Sequence, residues 1–142
     1  IAINLLILLN QHLKNSPCQV FMSDVKVYVQ KAQAFYYPDL LVSCDQTDNA
    51  QEYYSVCPCL IVEVLSPSTQ MIDKREKWLH YQQLESLQEY VLIEQETIHI
   101  QKYQRDHEGN WWIENHAQGT MLSLHCIDAH FLVDDIYANV FS

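Results

Sequence analysis

The sequence predicts an α/β or α+β fold, with a mixed central β-sheet flanked by helices and extended by additional antiparallel strands. Two observations carry this prediction. Residues 60–65, LIVEVL, form an apolar run of strand length that is typical of a strand buried on both faces. The segments around this run are predicted in the order strand, strand, strand, helix, strand, which requires a sheet with helices packed against it.

The N-terminal part of the chain is predicted to form one helix and two strands. Residues 1–14 place leucines at helical spacing, and Ser16-Pro17 ends this helix. Residues 20–29 alternate between valines and other side chains, which is typical of a half-exposed strand. Pro38 precedes a short strand at residues 39–43, and the polar residues 45–55 are predicted to form a loop.

The helix after the central strand is predicted to have Ser68 or Thr69 as its N-cap and to end near Leu84. Strands at residues 89–93 and 97–103 follow as a hairpin. The last predicted elements are strands at Trp111-Trp112 and at residues 121–125, and a short closing helix within residues 131–140.

Length and composition restrict the classes of function. The 142 residues predict one domain, and a hydrophobic content of 49% excludes a disordered chain. Two glycines cannot build a glycine-rich phosphate loop or a nucleophile elbow. Eight basic and 18 acidic side chains give a net charge of −10, which argues against a broad basic surface for nucleic acid.

The apolar start of the chain is too short to span a bilayer and lacks the cationic start of a signal peptide, so we expect a cytoplasmic protein without membrane contact. Because the sequence begins at Ile1 and not at a methionine, we expect a natural N-terminal segment to precede it. The five cysteines are odd in number and include no CxxC pair, which predicts reduced structural thiols.

Glu63 is the anomaly of the central strand. An ionised carboxylate within a buried apolar strand costs on the order of several kcal/mol, unless a cation, a metal ion or several hydrogen-bond donors face it. We therefore expect such a partner opposite Glu63.

Asp39 begins the preceding strand and is one candidate for this region. If the two strands pair, both carboxylates approach one point, where they repel each other unless a hard divalent cation lies between them. Lys77 shares a helix face with Asp73 and Tyr81 and can direct its ammonium group to the same point. Two acids and a lysine are what metal-dependent phosphodiester hydrolysis requires, with the backbone carbonyl of Val64 as a further oxygen ligand.

Three segments resemble the Uma-2 family of bacterial proteins, which belongs to the restriction-endonuclease-like PD-(D/E)xK superfamily. They are residues 37–42 (YPDLLV), residues 62–69 (VEVLSPST) with the helix motif DKREK at 73–77 and Tyr81, and residues 87–93 (LQEYVLI). The resemblance covers residues 1–103. It implies a restriction-endonuclease-like core, a Mg²⁺ or Mn²⁺ site at Asp39 and Glu63, and a catalytic Lys77, with nucleic acid, specifically DNA, as the partner.

The chain departs from the family pattern in two places. Leu65 stands where many superfamily members carry the motif lysine, so the resemblance implies that Lys77 supplies this group from the helix. Relatives also carry an acidic residue in a hairpin ahead of the first helix, and this sequence starts within that helix. We therefore expect an upstream ligand to be missing from the sequence, which affects activity and not fold.

Each site residue also has a structural interpretation. Asp39 can cap a turn after Pro38, Glu63 and Lys77 can form a structural ion pair, and Lys74 can lie on a solvated helix face. The favoured function is a Mg²⁺-dependent endodeoxyribonuclease. The alternatives are a catalytically inactive, DNA-associated or dimerising module of the same fold and, more distantly, a zinc-stabilised Cys/His module. A homodimer is expected because a two-fold pair addresses both strands of a duplex.

Overall fold

The computed structural model describes residues 1–23, 25–49, 54–68 and 70–141. Two short 3₁₀ turns, Gln30–Ala32 and His125–Ile127, accompany the helices and strands. In chain order the elements are α1 (Ala2–His12), β1 (Gln19–Met22), β2 (Lys26–Val29), β3 (Ala34–Tyr36), β4 (Leu40–Ser43), α2 (Gln46–Asn49), β5 (Tyr54–Ser55), β6 (Leu60–Leu65), α3 (Gln70–Tyr81), β7 (Glu89–Glu94), β8 (His99–Arg105), β9 (Trp111–Ala117), β10 (Met121–Leu124), β11 (Ala129–Leu132) and α4 (Val133–Ile136).

The central sheet has six strands in the order β1-β4-β6-β7-β8-β9. β6 and β7 run parallel because α3 connects them as a crossover, and the other neighbours in this sheet are antiparallel. Two smaller sheets have the orders β3-β2-β5 and β10-β11. The predicted mixed sheet with helices and added antiparallel strands is confirmed.

β6 lies in the interior of this sheet and is covered on both faces. Leu60 and Val62 contribute to the core that α1 covers, whereas Ile61 and Leu65 contribute to a second core that α3 covers. Because neither face of the strand meets water, its sequence is apolar almost without interruption. Glu63 follows the same alternation and therefore points to the α3 face.

Residues 20–29, predicted as one strand, form two strands in different sheets. β1 pairs with β4 at the edge of the central sheet, and β2 pairs with β3 and β5. The chain turns between them, where the Val25 amide donates to the Met22 carbonyl at 3.1 Å. The alternation of the sequence continues across this turn, so the pattern alone does not reveal it.

The predicted loop at residues 45–55 contains the helical turn α2 and the short strand β5, and residues 50–53 lie outside the described ranges. The buried carboxylate of Asp48 organises this segment. It accepts hydrogen bonds from the hydroxyls of Ser43 and Ser55 at 2.7 and 2.5 Å. The backbone amides of Val56 and Cys57 donate to the same carboxylate at 2.7 and 3.3 Å.

Both predicted long helices are present. In the part of the chain that the structure describes, no helix is long and apolar enough to cross a membrane. α3 ends at Tyr81, earlier than predicted, because Gln83 and Leu84 donate to carbonyls three residues back and so form tighter turns. Thr69, one of its two predicted N-caps, lies outside the described residues. Strands β3 and β11, each of four residues or fewer, were not predicted.

The prediction that all cysteines are reduced is wrong for two of them. Cys18 and Cys44 form a disulfide, whereas Cys57, Cys59 and Cys126 are free thiols. The bond follows from the register of β1 and β4, in which Gln19 lies opposite Ser43 and the adjacent Cys18 therefore lies opposite Cys44. Strand register is a tertiary property, so cysteine spacing along the sequence did not indicate this pair.

Candidate active site

Asp39 and Glu63 lie side by side because β4 and β6 are antiparallel neighbours. The register places Leu40 opposite Val62, which brings the residue before β4 next to the residue after Val62. The Asp39 amide donates to Glu63 Oε1 at 3.2 Å, and the Val64 amide donates to Asp39 Oδ2 at 2.7 Å. The two predicted acids are therefore fixed to each other through the backbones of both strands.

The Val64 carbonyl belongs to the same edge of β6. In an antiparallel ladder, the N–H and the C=O of one residue point to the same neighbouring strand. Since the Val64 N–H points to Asp39, its carbonyl points to that side as well. The ladder between β4 and β6 ends at Val62, so this oxygen lies beyond the last paired residue.

Lys77 approaches Glu63 from α3. Its Nζ donates to Glu63 Oε2 at 2.9 Å, and the exposed fractions of the two side chains are 22% and 7%. The predicted convergence of two acids and this lysine is therefore present in the structure. The side chain of Asp73, predicted to share this helix face, lies outside the described residues.

Burial dominates the electrostatics of Glu63. It raises the pKa of the carboxyl above its ordinary value, and the negative charge of Asp39 acts in the same direction. The hydrogen bond and the charge of Lys77 oppose both effects and lower the pKa of Glu63. The charged form of Glu63 therefore depends on a cation next to it, and Lys77 is the one that the structure places there.

A cavity of about 170 Å³ opens onto these groups. Its lining includes Lys74, which lies one helical turn before Lys77, and the exposed ring of Tyr37. Two cations thus face two carboxylates across a space large enough for several waters. The sequence left open whether Lys74 lies on an ordinary solvated helix face, and its i, i+3 spacing to Lys77 was the available signal.

A larger cavity of about 590 Å³ lies at the opposite end of β7, next to Glu89 and Arg105. The buried acid Glu89 is already neutralised, because Lys102 Nζ lies 3.3 Å from Glu89 Oε2 and both side chains are fully buried. The guanidinium of Arg105 is bound to the backbone carbonyls of Gln82 and Leu84. These groups stabilise the fold, so the larger volume of this cavity does not make it the functional site.

Tyr81, one turn after Lys77, carries a buried hydroxyl in an unusual environment. Tyr81 is completely buried, and its hydroxyl has no hydrogen-bond partner among the described residues. Burial and then the charge of Glu63 hold the pKa of Tyr81 well above its ordinary value. An unpaired buried hydroxyl costs about 1–3 kcal/mol, so the Tyr81 hydroxyl lowers the stability of the fold at this position.

The donor set fits a hard divalent cation that is bound by few protein ligands. Asp39 and Glu63 supply carboxylate oxygens and Val64 a carbonyl oxygen, which are the atoms that Mg²⁺ and Mn²⁺ prefer. Within the described ranges, no three His, Cys, Asp or Glu side chains are grouped to hold a metal ion. Mg²⁺ is commonly bound by one or two carboxylates with waters and substrate phosphates, so two acids satisfy that pattern.

Comparison with known proteins identifies the family of this chain. A family model described as "Uma2: Putative restriction endonuclease" matches residues 1–131. The chain belongs to the Uma2 family. The predicted resemblance is thereby confirmed, and it extends further along the chain than the residues that first indicated it.

Two curated relatives come from the cyanobacterium Synechocystis, and both are described as uncharacterized. The protein slr1290 is 35% identical to this Uma2 chain over 137 residues, which are 96% of the chain and 72% of the relative. The protein sll1609 is 32% identical over 114 residues, which are 78% of the chain and 64% of the relative. The Uma2 chain thus spans less than two thirds of the second relative.

A solved structure supports the fold. The crystal structure of a "putative nuclease belonging to DUF820" from Anabaena variabilis matches the Uma2 chain with a TM-score of 0.80. The match covers 99% of this chain and 80% of that one at 15% sequence identity. At this identity the likeness shows the fold alone. The predicted fold is confirmed, whereas the roles of Asp39, Glu63, Val64 and Lys77 stay predictions.

Proposed function

We propose that this Uma2 protein is a metal-dependent endonuclease that hydrolyses phosphodiester bonds of DNA. One observation carries the proposal: Asp39, Glu63 and Lys77 come from three different parts of the chain and meet in one hydrogen-bonded group at the edge of a polar cavity. Carboxylates and a lysine around a space open to substrate are the groups that this hydrolysis uses.

Asp39, Glu63 and the Val64 carbonyl would hold Mg²⁺ or Mn²⁺, which supplies an activated water and charge neutralisation at the phosphate when bound. Lys77 stabilises the negative charge that develops on the phosphate. For this role Lys77 would turn from Glu63 Oε2, its present partner at 2.9 Å, towards the phosphate. Lys74, at the rim of the same cavity, attracts the phosphate before Lys77 acts on it.

A second candidate function is a catalytically inactive, DNA-associated or dimerising module of the same fold. The specific observation in its favour is that both oxygens of Glu63 are already engaged, one by the Asp39 amide and one by Lys77. In that case Glu63 and Lys77 are a structural ion pair and the cavity has no metal affinity. Divalent-cation binding separates the two functions.

The test is a calorimetric titration of Mn²⁺ and Mg²⁺ into wild type and Glu63→Gln. The matched control is Glu85→Gln, because Glu85 is an exposed acid paired at 3.8 Å with the exposed Lys31. We expect one site in wild type and in the control, and at least a tenfold loss of affinity in Glu63→Gln. If wild type binds neither metal, Glu63 has the role of a structural ion-pair partner and the proposed endonuclease is refuted.

The net charge of −10 restricts how DNA binds. Few phosphate contacts are available to an acidic surface, so binding is confined to the cavity and depends on a divalent cation and on low salt. DNA affinity that persists in 0.5 M salt with a chelator contradicts this.

A homodimer fits a duplex substrate. Cytoplasmic location stays a prediction, and the Cys18–Cys44 disulfide argues against it.

A further inference from the structure

Four of the five cysteines converge on the α1 side of the sheet, away from the proposed site. They pack at the edge of the core that α1 covers: Cys18, Cys44, Cys59 and Cys126. They arrive there from four parts of the chain, namely the segment before β1, the residue after β4, the residue before β6 and the second 3₁₀ turn. The fifth, Cys57, donates its amide to Asp48 instead.

Cys59 lies in contact with the disulfide. Its amide donates to the Val42 carbonyl at 2.8 Å, which holds it beside the end of β4. Its Sγ lies 3.9 Å from the Sγ of Cys44. Because Cys44 carries no thiol hydrogen while it is bonded to Cys18, Cys59 is the donor in this contact. A free thiol therefore touches one specific sulfur of the disulfide.

Cys126, the fourth cysteine of this group, changes the pKa of the Cys59 thiol. Hydrogen bonding with Cys126 lowers the pKa of the Cys59 thiol. The same hydrogen bonding, together with burial, raises the pKa of Cys126. The Cys126 amide is held by Glu89 Oε1 at 2.8 Å, so Cys126 is fixed in place. Of the two free thiols in this group of four cysteines, Cys59 is the one that touches the disulfide and the one whose pKa is lowered.

We propose that Cys59 is the attacking thiol of an internal thiol–disulfide exchange that moves the disulfide from Cys18–Cys44 to Cys44–Cys59. The Cys59 sulfur forms a bond to the Cys44 sulfur, the Cys18–Cys44 bond breaks, and its electron pair leaves with Cys18 as a thiolate. The proton given up by Cys59 is taken up by Cys18. The step exchanges one disulfide and one thiol for another such pair, so it needs neither oxidant nor reductant.

The exchange creates a modification site at Cys18. Its thiol is released in the segment between α1 and β1, where the neighbouring Pro17 and Gln19 are exposed. External thiol reagents and disulfides of the glutathione class are the ligands that such a thiol takes. The inference is independent of the proposed nuclease, since none of its residues belongs to that site.

The experiment measures alkylation of Cys18 in the whole chain, purified without reductant. Iodoacetamide traps the released thiol, and trypsin then gives residues 15–26 as a peptide whose only cysteine is Cys18. We expect progressive labelling in wild type and an equal rate in Cys57→Ser, the matched control. Cys59→Ser should lower the rate at least tenfold, and Cys126→Ala should lower it by a smaller factor, because it removes only the hydrogen bond to the nucleophile.

Three results overturn the inference. Cys18 that resists labelling until dithiothreitol is added shows that the disulfide does not move. Equal labelling in wild type and Cys59→Ser shows that Cys59 is not the nucleophile. One equivalent of bound zinc, released when four thiols are titrated, shows a metal-bound cluster in place of the exchange. Melting curves show whether each variant folds. If Cys59→Ser does not fold, the slower labelling expected of Cys126→Ala tests the role of Cys59 as nucleophile.

Discussion

Replacing Lys77 with methionine tests whether Glu63 depends on its cation. Methionine keeps most of the aliphatic length and removes the ammonium group, which lies 2.9 Å from Glu63 Oε2. Glu63 is then a buried carboxylate with the Asp39 amide as its remaining observed donor. Removal of one partner of a buried ion pair costs about 3–5 kcal/mol. Since Lys77 is 22% exposed and partly screened, we expect a loss of about 3 kcal/mol at pH 8.

The pH dependence of this loss identifies its cause. Lys77 lowers the pKa of Glu63, so the variant raises the pKa of the folded form further. A carboxyl whose pKa is raised in the folded state costs stability as the pH rises from its unfolded-state pKa to its folded-state pKa, and protonation at lower pH relieves the cost. The deficit of Lys77→Met should therefore shrink to about 1 kcal/mol near pH 5.

The assay is urea unfolding at both pH values in the presence of a chelator. Lys31→Met is the matched control, because its 3.8 Å pair with Glu85 is exposed and should contribute about 0–1 kcal/mol at either pH. A loss for Lys77→Met that is equal at the two pH values, or no larger than that of the control, would refute the reasoning.

Three further predictions concern single groups. Tyr81→Phe removes an unpaired buried hydroxyl and should raise the free energy of unfolding by about 1 kcal/mol in thermal melts, whereas a clear loss would reveal a partner for that hydroxyl. Asp48→Ala leaves four donors without their acceptor and should lower the urea-derived stability by about 3 kcal/mol, and a change under about 1 kcal/mol would contradict this role. Mn²⁺ affinity should fall from about pH 7 to about pH 5, because the raised pKa of Glu63 lets protons compete with the metal, and constant calorimetric affinity would exclude Glu63 as a ligand.

The central strand and its acid could be predicted because their signals are local. LIVEVL is apolar on both faces, and a lone glutamate in such a run requires a partner. The approach of Asp39 to Glu63 followed from the assumption that the two strands are neighbours, and the register of Leu40 with Val62 confirms it. The position of Lys77 followed from a helix that returns along the sheet, and its contact with Glu63 shows that position.

The features that were missed depend on contacts between distant residues. The Cys18–Cys44 bond exists because β1 and β4 pair in one particular register. The helical turn α2 accompanies hydrogen bonds from several segments to Asp48. Lys74 differs from an exposed helix residue only through the cavity beside it. In each case the sequence offers a residue type without the geometry that gives it a role.

The most direct test of the proposed nuclease is cleavage of supercoiled plasmid DNA with Mn²⁺ by wild type and by Asp39→Asn. Asp128→Asn is the control, because Asp128 has an exposed side chain and a left-handed backbone that asparagine also adopts. We expect nicked and linear products from wild type and the control, and a loss of cleavage of at least a hundredfold in Asp39→Asn. Equal cleavage by wild type and Asp39→Asn would contradict it.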